Sequence, residues 1–168
     1  RPDGSDRRAL TEGPGDVGPV WSPDGEWLAF RRREGDAQQL WVVRRDGTGA
    51  RQVAAAVEDA AMAWSPDGRT IAAGVATTDG RSRIEAFDVE TGVGTPISHG
   101  SDSADLEPAW AGSDLLVYSA DPDGQDLASV SDDGTVQRSG GAEPGRIVLA
   151  RRGGPVLRSL TDPVQIGR

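Results

Sequence analysis

The chain has no cysteine, no lysine and no asparagine in its 168 residues, and only one histidine. Without cysteine, neither a disulfide nor thiolate chemistry is available, and this absence is compatible with an oxidising compartment. One histidine without cysteine leaves too few soft ligands for a zinc or iron centre. All 18 basic residues are arginine, a bias of the kind a GC-rich genome produces. No apolar run approaches the ~18 residues a spanning helix needs, so no membrane insertion is expected. The opening Arg1-Pro2-Asp3-Gly4 lacks a methionine and an apolar stretch, so no signal peptide is expected from it. The net charge of −9 lacks the basic footprint that nucleic acid or an anionic membrane requires. Helical periodicity is absent beyond the short Ala54-Ala55-Ala56 link.

What is present is a phrase that returns. Trp21-Ser22-Pro23-Asp24-Gly25 recurs unchanged as Trp64-Ser65-Pro66-Asp67-Gly68, and a worn copy stands at Trp110-Ala111-Gly112-Ser113-Asp114. The tryptophans are spaced by 43 and 46 residues, a period that fits one four-stranded propeller blade. Within the phrase, proline presets φ, aspartate bonds nearby amides and glycine accepts positive φ, which makes a turn between antiparallel strands. Trp27-Leu28-Ala29-Phe30 after the first turn is apolar on both faces, as a strand sandwiched between neighbouring sheets must be. The phase shared by Trp21, Trp64 and Trp110 assigns them to packing between blades rather than to an aromatic recognition cage.

The whole chain, 1–168, therefore reads as one all-β domain, a propeller of four-stranded antiparallel blades with about four blade equivalents. The blades are expected at about 17–54, 60–98 and 106–139, with a fourth made from 146–168 plus 5–11. The last pairing comes from Asp3-Gly4-Ser5, which aligns with Asp46-Gly47-Thr48, so that Arg8 falls on Arg51 and Leu10 on Val53. The chain thus opens on a fourth strand, which would close the last blade and remove an exposed edge. Arg158-Ser159-Leu160-Thr161 also aligns with Arg8-Ala9-Leu10-Thr11, which would give the tail its own fourth strand. A closed monomer, a head-to-tail dimer and a fragment of a larger ring are all compatible with this pattern.

The Trp-Ser-Pro-Asp-Gly phrase, followed by an apolar strand and an Asp-Gly turn, resembles the TolB-like propeller repeat. That resemblance implies an extracytoplasmic, periplasmic or extracellular, β-propeller that binds other proteins. The same repeat builds the propellers of prolyl-oligopeptidase-like hydrolases and of envelope sensor domains, and those roles stay open as alternatives. TolB-like propellers usually carry six blades and a preceding α/β domain, which this chain does not match in size.

Candidate chemistry is sparse. His99 lies among Ser98, Ser101, Asp102 and Ser103, but no Gly-x-Ser-x-Gly elbow holds a nucleophile, and a triad is assembled by the fold rather than by adjacency. No catalytic residue and no cofactor are expected. Asp121, Asp123 and Asp126 surround Gly124 with hard oxygen ligands suited to calcium, although Asp and Gly are also ordinary turn residues. The arginine clusters Arg31–Arg33, Arg44-Arg45 and Arg151-Arg152 are expected to make local ion pairs.

One charged feature remains. The inter-blade links and the second-to-third-strand turns share one propeller face and carry Glu12, Asp16, Glu34, Asp36, Glu58, Asp59, Asp79, Asp102, Asp105, Glu107, Asp121 and Asp123. Few cations oppose them in this reading, chiefly Arg81 and His99. Loops on a rigid scaffold favour function. The expected role is therefore a non-catalytic scaffold that receives a cationic protein or peptide at Glu58, Asp59, His99, Asp102, Asp105 and Glu107.

Overall fold

The computed structural model describes residues 5, 7–13, 15–78, 80–98, 104–110, 112, 115–121, 129–130, 136–137, 146–151 and 156–159. From residue 104 onward, side chains are described for 107–110, 112 and 115–119. Blade 1 comprises β1 (Asp16–Trp21), β2 (Trp27–Glu34), β3 (Ala37–Arg44) and β4 (Arg51–Val57), paired in chain order. Blade 2 comprises β5 (Met62–Trp64), β6 (Thr70–Ala76), β7 (Ser82–Asp88) and β8 (Gly94–Pro96), again in order. All pairings are antiparallel. Among the described residues there is no helix, and so none long and apolar enough to cross a membrane.

The repeated phrase is a repeated hydrogen-bond network. In blade 2 the Ser65 hydroxyl donates to Asp67 Oδ1 at 2.6 Å and accepts from the Thr70 N–H at 3.0 Å, while the Arg69 N–H donates to Asp67 Oδ1 at 3.0 Å. In blade 1 the Ser22 hydroxyl donates to Asp24 Oδ1 at 2.6 Å and accepts from the Trp27 N–H at 2.9 Å. Gly25 and Gly68 sit at φ 69° and 68°, the left-handed region that glycine enters without steric cost. Serine, aspartate and glycine each occupy the position that their chemistry requires.

Blades pack through alternating residues. In β6, Ile71 and Ala73 join Trp64 and Phe87 against Ala29, Leu40 and Val42 of blade 1. Ala72, one residue out of phase, joins Ile84, Ala86 and Ile97 on the opposite side, against Leu116, Tyr118 and Trp110. A strand buried on both faces must be apolar at both phases, and β6 is. The inner-strand tryptophans also tie blade to blade: Trp64 Nε1 donates to Val20 O at 3.0 Å, and Trp110 Nε1 donates to Ala63 O at 3.1 Å. Each bond reaches the residue just before the tryptophan of the preceding blade.

The third sheet departs from the expected order. It contains β9 (Ala104–Trp110) and β10 (Leu115–Asp121), but its next strands are β13 (Arg146–Arg151) and β14 (Val156–Ser159), in the order β9-β10-β13-β14. Between them β11 (Ser129–Val130) and β12 (Val136–Gln137) form a separate two-stranded hairpin. The segment at 127–130, expected as the third strand of this blade, is replaced there by residues expected in a fourth blade. The apolar run Ile147-Val148-Leu149-Ala150 lies within six paired positions on β10, from Leu115↔Arg151 to Ala120↔Arg146, which sets Leu116, Val117 and Tyr118 opposite Ala150, Leu149 and Val148, the apolar partners a sheet buried on both faces favours.

The N-terminal segment differs as well. Residues 7–13 form no strand, so closure of a blade by the first residues is not seen among the described residues. Instead Arg8 Nη2 donates to Arg45 O at 3.0 Å, and Leu10 lies against Gly47, where an added Cβ would stand 3.6 Å from Leu10 O.

Candidate functional site

The expected acidic face is less open than its composition suggests. Strand β2 runs on to Glu34, past the expected end at Phe30, and carries Arg31 and Arg32 in among the acids. Arg32 grips Asp16 with two parallel bonds, Nε to Oδ1 at 2.7 Å and Nη2 to Oδ2 at 2.9 Å. Such a fork is among the stronger protein hydrogen bonds. The Arg32 bond, with help from the Thr11 hydroxyl, holds the Asp16 carboxyl below its ordinary pKa against the opposing effect of burial. Arg32 also stacks on Trp41 at 4.4 Å and on Phe30 at 5.4 Å. Arg31 Nη2 pairs with Asp59 Oδ1 at 3.0 Å. Arg31 and Arg32 thus oppose these acids, and they make the local ion pairs expected of the arginine triplet.

Of the residues expected to bind a partner, Glu58 and Asp59 adjoin in the link from β4 to β5. Glu58 Oε1 accepts from the Ser82 hydroxyl at 3.1 Å, and the Asp59 side chain is 72% exposed despite its ion pair. Glu107 is exposed in β9 and holds φ 54°, a left-handed conformation uncommon for a non-glycine residue. His99, Asp102 and the side chain of Asp105 lie outside the described residues. So do the calcium candidates Asp123 and Asp126 and the side chain of Asp121. Among the described residues, no three His, Cys, Asp or Glu side chains are grouped to hold a metal ion.

The opposite face, where the Ser-Pro-Asp-Gly turns lie, holds a groove between blades 1 and 2. Its volume is about 630 Å³, and it is lined by Trp27, Arg44, Arg51, Arg69, Asp88 and Glu90, with Gly68 and Val89 completing the wall. Strand register assembles it. Trp27 pairs directly with Arg44 across β2 and β3, and Arg51 pairs with Val42 at the start of β4. The Arg44 guanidinium lies 4.7 Å from the Trp27 ring centre and that of Arg51 lies 5.6 Å from it, both within cation–π range. Among the described residues, Arg44, Arg51 and Arg69 make no ion pair.

The other wall is rigid. Asp88 Oδ1 accepts from the Glu90 N–H at 3.1 Å, from the Thr91 N–H at 2.8 Å and from the Thr91 hydroxyl at 2.8 Å. The Val89 N–H donates to Arg69 O at 2.9 Å. The groove therefore offers guanidinium forks and an indole on one side and carboxylates on the other. Sequence reasoning missed it because Trp27, Arg44, Arg51 and Asp88 are scattered along the chain. The available signal was their position beside the repeated turns, which brings them to one rim.

Comparison with solved structures places this architecture. A TolB-type protein of Agrobacterium tumefaciens matches with a TM-score of 0.66 and 20% identity, over 89% of this chain and 50% of its own. The fold is that of a TolB-like β-propeller. The propeller domain of the Trilobed protease from Pyrococcus furiosus matches this chain with a TM-score of 0.59 and 16% identity, covering 86% of this chain and 43% of that one. TolB from Acinetobacter baumannii matches with a TM-score of 0.53 and 14% identity, covering 84% and 42%. The chain thus spans half or less of the length of these structures. No protein-family model matches it, and no curated protein matches it in sequence. The same blade construction serves TolB proteins and a protease propeller, so function must be argued from the site.

Proposed function

We propose that this protein is a non-catalytic, extracytoplasmic scaffold that binds a protein segment in the groove between blades 1 and 2. The observation that carries the reading is the stack of Arg44 and Arg51 on Trp27, with no direct ion pair to either guanidinium among the described residues. Guanidinium forks recognise carboxylates through paired bonds, and an indole beside them supplies apolar contact area at low entropy cost. The ligand is a peptide that turns a carboxylate toward Arg44 and Arg51. It turns an amide or cation toward Asp88 and Glu90. The likeness to TolB structures supports a binding role outside the cytoplasm, and the likeness to a protease propeller supports the alternative of a propeller serving a peptidase.

A second reading places a cationic partner on the other face, at Asp59 and Glu107, because both are exposed. Peptide selection from a random displayed library separates the two. The groove reading expects acidic peptides whose binding falls at least about tenfold in the Arg44→Glu/Arg51→Glu double variant, a loss of about 1.4 kcal/mol. Selection of basic peptides, with binding abolished by Asp59→Arg or Glu107→Arg and untouched by the arginine changes, would move the site to the acidic face.

A further inference from the structure

The groove between blades 1 and 2 is a recess closed at both ends. At its inner end the two Ser-Pro-Asp-Gly turns meet: a Cβ added to Gly68 would stand 3.6 Å from Asp24 Oδ2. At its outer end the turn after β7 meets β4: a Cβ added to Gly92 would stand 3.0 Å from Val53 O. Beneath it, Val89 and Val53 belong to the buried core between the blades, and Trp27 packs against that core. The mouth therefore opens onto the face that carries the turns. A polypeptide in mid-chain can cross this mouth and lower one side chain into it. A chain end can enter with its backbone.

Charge selects which end. Three guanidiniums, Arg44, Arg51 and Arg69, line the recess with two carboxylates, Asp88 and Glu90. Positive charge is thus in excess here, within a chain of net charge −9, and a recess lined by one sign of charge concentrates ions of the other. The acids close to these arginines have work of their own. Asp46 Oδ1 accepts from the Thr48 N–H at 2.9 Å and from the Thr48 hydroxyl at 2.7 Å. Asp88 Oδ1 accepts three bonds from Glu90 and Thr91. Neither Arg44 nor Arg51 makes an ion pair among the described residues.

The two guanidiniums also share one support. They lie 4.7 Å and 5.6 Å from the centre of the same Trp27 ring. Two like charges are held there side by side, and an anion between them relieves their repulsion. Forks already positioned on a rigid ring lose little freedom when they close on a carboxylate. The volume of about 630 Å³ lies in the range that buries a drug-sized ligand. A lone acidic side chain leaves most of it to water, whereas the last few residues of a peptide fill it.

We infer that the recess receives the free C-terminus of a peptide, with the α-carboxylate on Arg44 and Arg51 and the last side chain beside Trp27. The inference rests on the peptide-binding reading of this groove and narrows it from any carboxylate to a terminal one. Capture of a chain end by oriented donors is an established mode of peptide recognition.

The test is binding of the protein to an array of random pentapeptides tethered by their N-termini. One set lacks aspartate and glutamate and ends in a free carboxylate. A second set has the same sequences ending in a carboxamide. A third is amidated and carries one internal aspartate. Wild-type protein is expected to bind members of the first set and to bind their amides at least about tenfold more weakly. Arg44 is exposed and Arg51 half-buried, so Arg44→Gln/Arg51→Gln is expected to keep the wild-type urea midpoint and to lose the preference for acid over amide. Equal binding of acids and amides overturns the inference, and so does a preference that the double variant keeps. Arginine-dependent binding confined to the third set also overturns it, while leaving the peptide reading of the groove intact. No binding to any set, or binding indifferent to the arginine changes throughout, overturns both.

Discussion

Replacing Ser65 with alanine tests whether the repeated turn is held by its hydroxyl or only by its backbone. Ser65 and Thr70 are both buried, at 1% and 0% exposure. The hydroxyl accepts from the Thr70 N–H at 3.0 Å and donates to Asp67 Oδ1 at 2.6 Å. Alanine has no atom to accept from Thr70, and water cannot reach that amide. A buried donor left without a partner costs about 1–3 kcal/mol, and the lost bond to a carboxylate adds about 1 kcal/mol because exposed Asp67 regains solvent. The expected loss is about 2–4 kcal/mol, which for a chain of this size lowers the thermal midpoint by about 10 °C. Urea unfolding should show a lower midpoint with an unchanged slope. Ser22 makes the same bonds, but its amide partner Trp27 is only half-buried, so Ser22→Ala should cost less, about 1–2 kcal/mol. If Ser65→Ala stays within about 0.5 kcal/mol of the wild type, or costs less than Ser22→Ala, the hydroxyl does not hold the turn.

Trp64→Phe removes the donor to Val20 O and should destabilise the protein by about 1–3 kcal/mol in urea unfolding. Gly92 and Gly80 both hold positive φ, but Gly92 faces Val53 O and Gly80 faces open space. Gly92→Ala should therefore cost at least about 1 kcal/mol more than Gly80→Ala in the same assay. Asp16, Asp24 and Asp46 are held below their ordinary pKa, chiefly by hydrogen bonds from Arg32, Ser22 and Thr48 respectively. A carboxyl lowered in the folded state stabilises the fold above its unfolded pKa and loses that contribution as pH falls through the folded value. Stability should therefore drop below about pH 4, and Asp16→Asn should flatten that acid limb when urea midpoints are followed against pH.

Turn chemistry was legible because it is local. Ser22, Asp24 and Gly25, and their counterparts Ser65, Asp67 and Gly68, bond within a few residues of themselves, so both copies of the phrase make the same network. The tryptophan phase was legible for a related reason: a fixed period repeats a fixed contact. The extension of β2 to Glu34 was obscured because Arg31, Arg32 and Arg33 read as a polar strand end. Their strand positions depend on Asp16, Asp59 and β3 being there to receive them.

Which strands complete the third blade was not legible. Two segments of similar apolarity, 127–130 and 147–150, compete for the free edge of β10, and the shorter connection favours the first. The structure places the second there, in a ladder of six pairs on β10. The groove was hidden for the same kind of reason, since Trp27, Arg44 and Arg51 meet only through the register of β2, β3 and β4. By itself the sequence determined the blade as the building unit, its turns and the phase of its inner-strand tryptophans, because each depends on bonds between near neighbours or on a strict period. Only the tertiary structure decided which strands share the third sheet and which arginines meet the acids, because these are outcomes of competition between distant segments for the same buried edge or face.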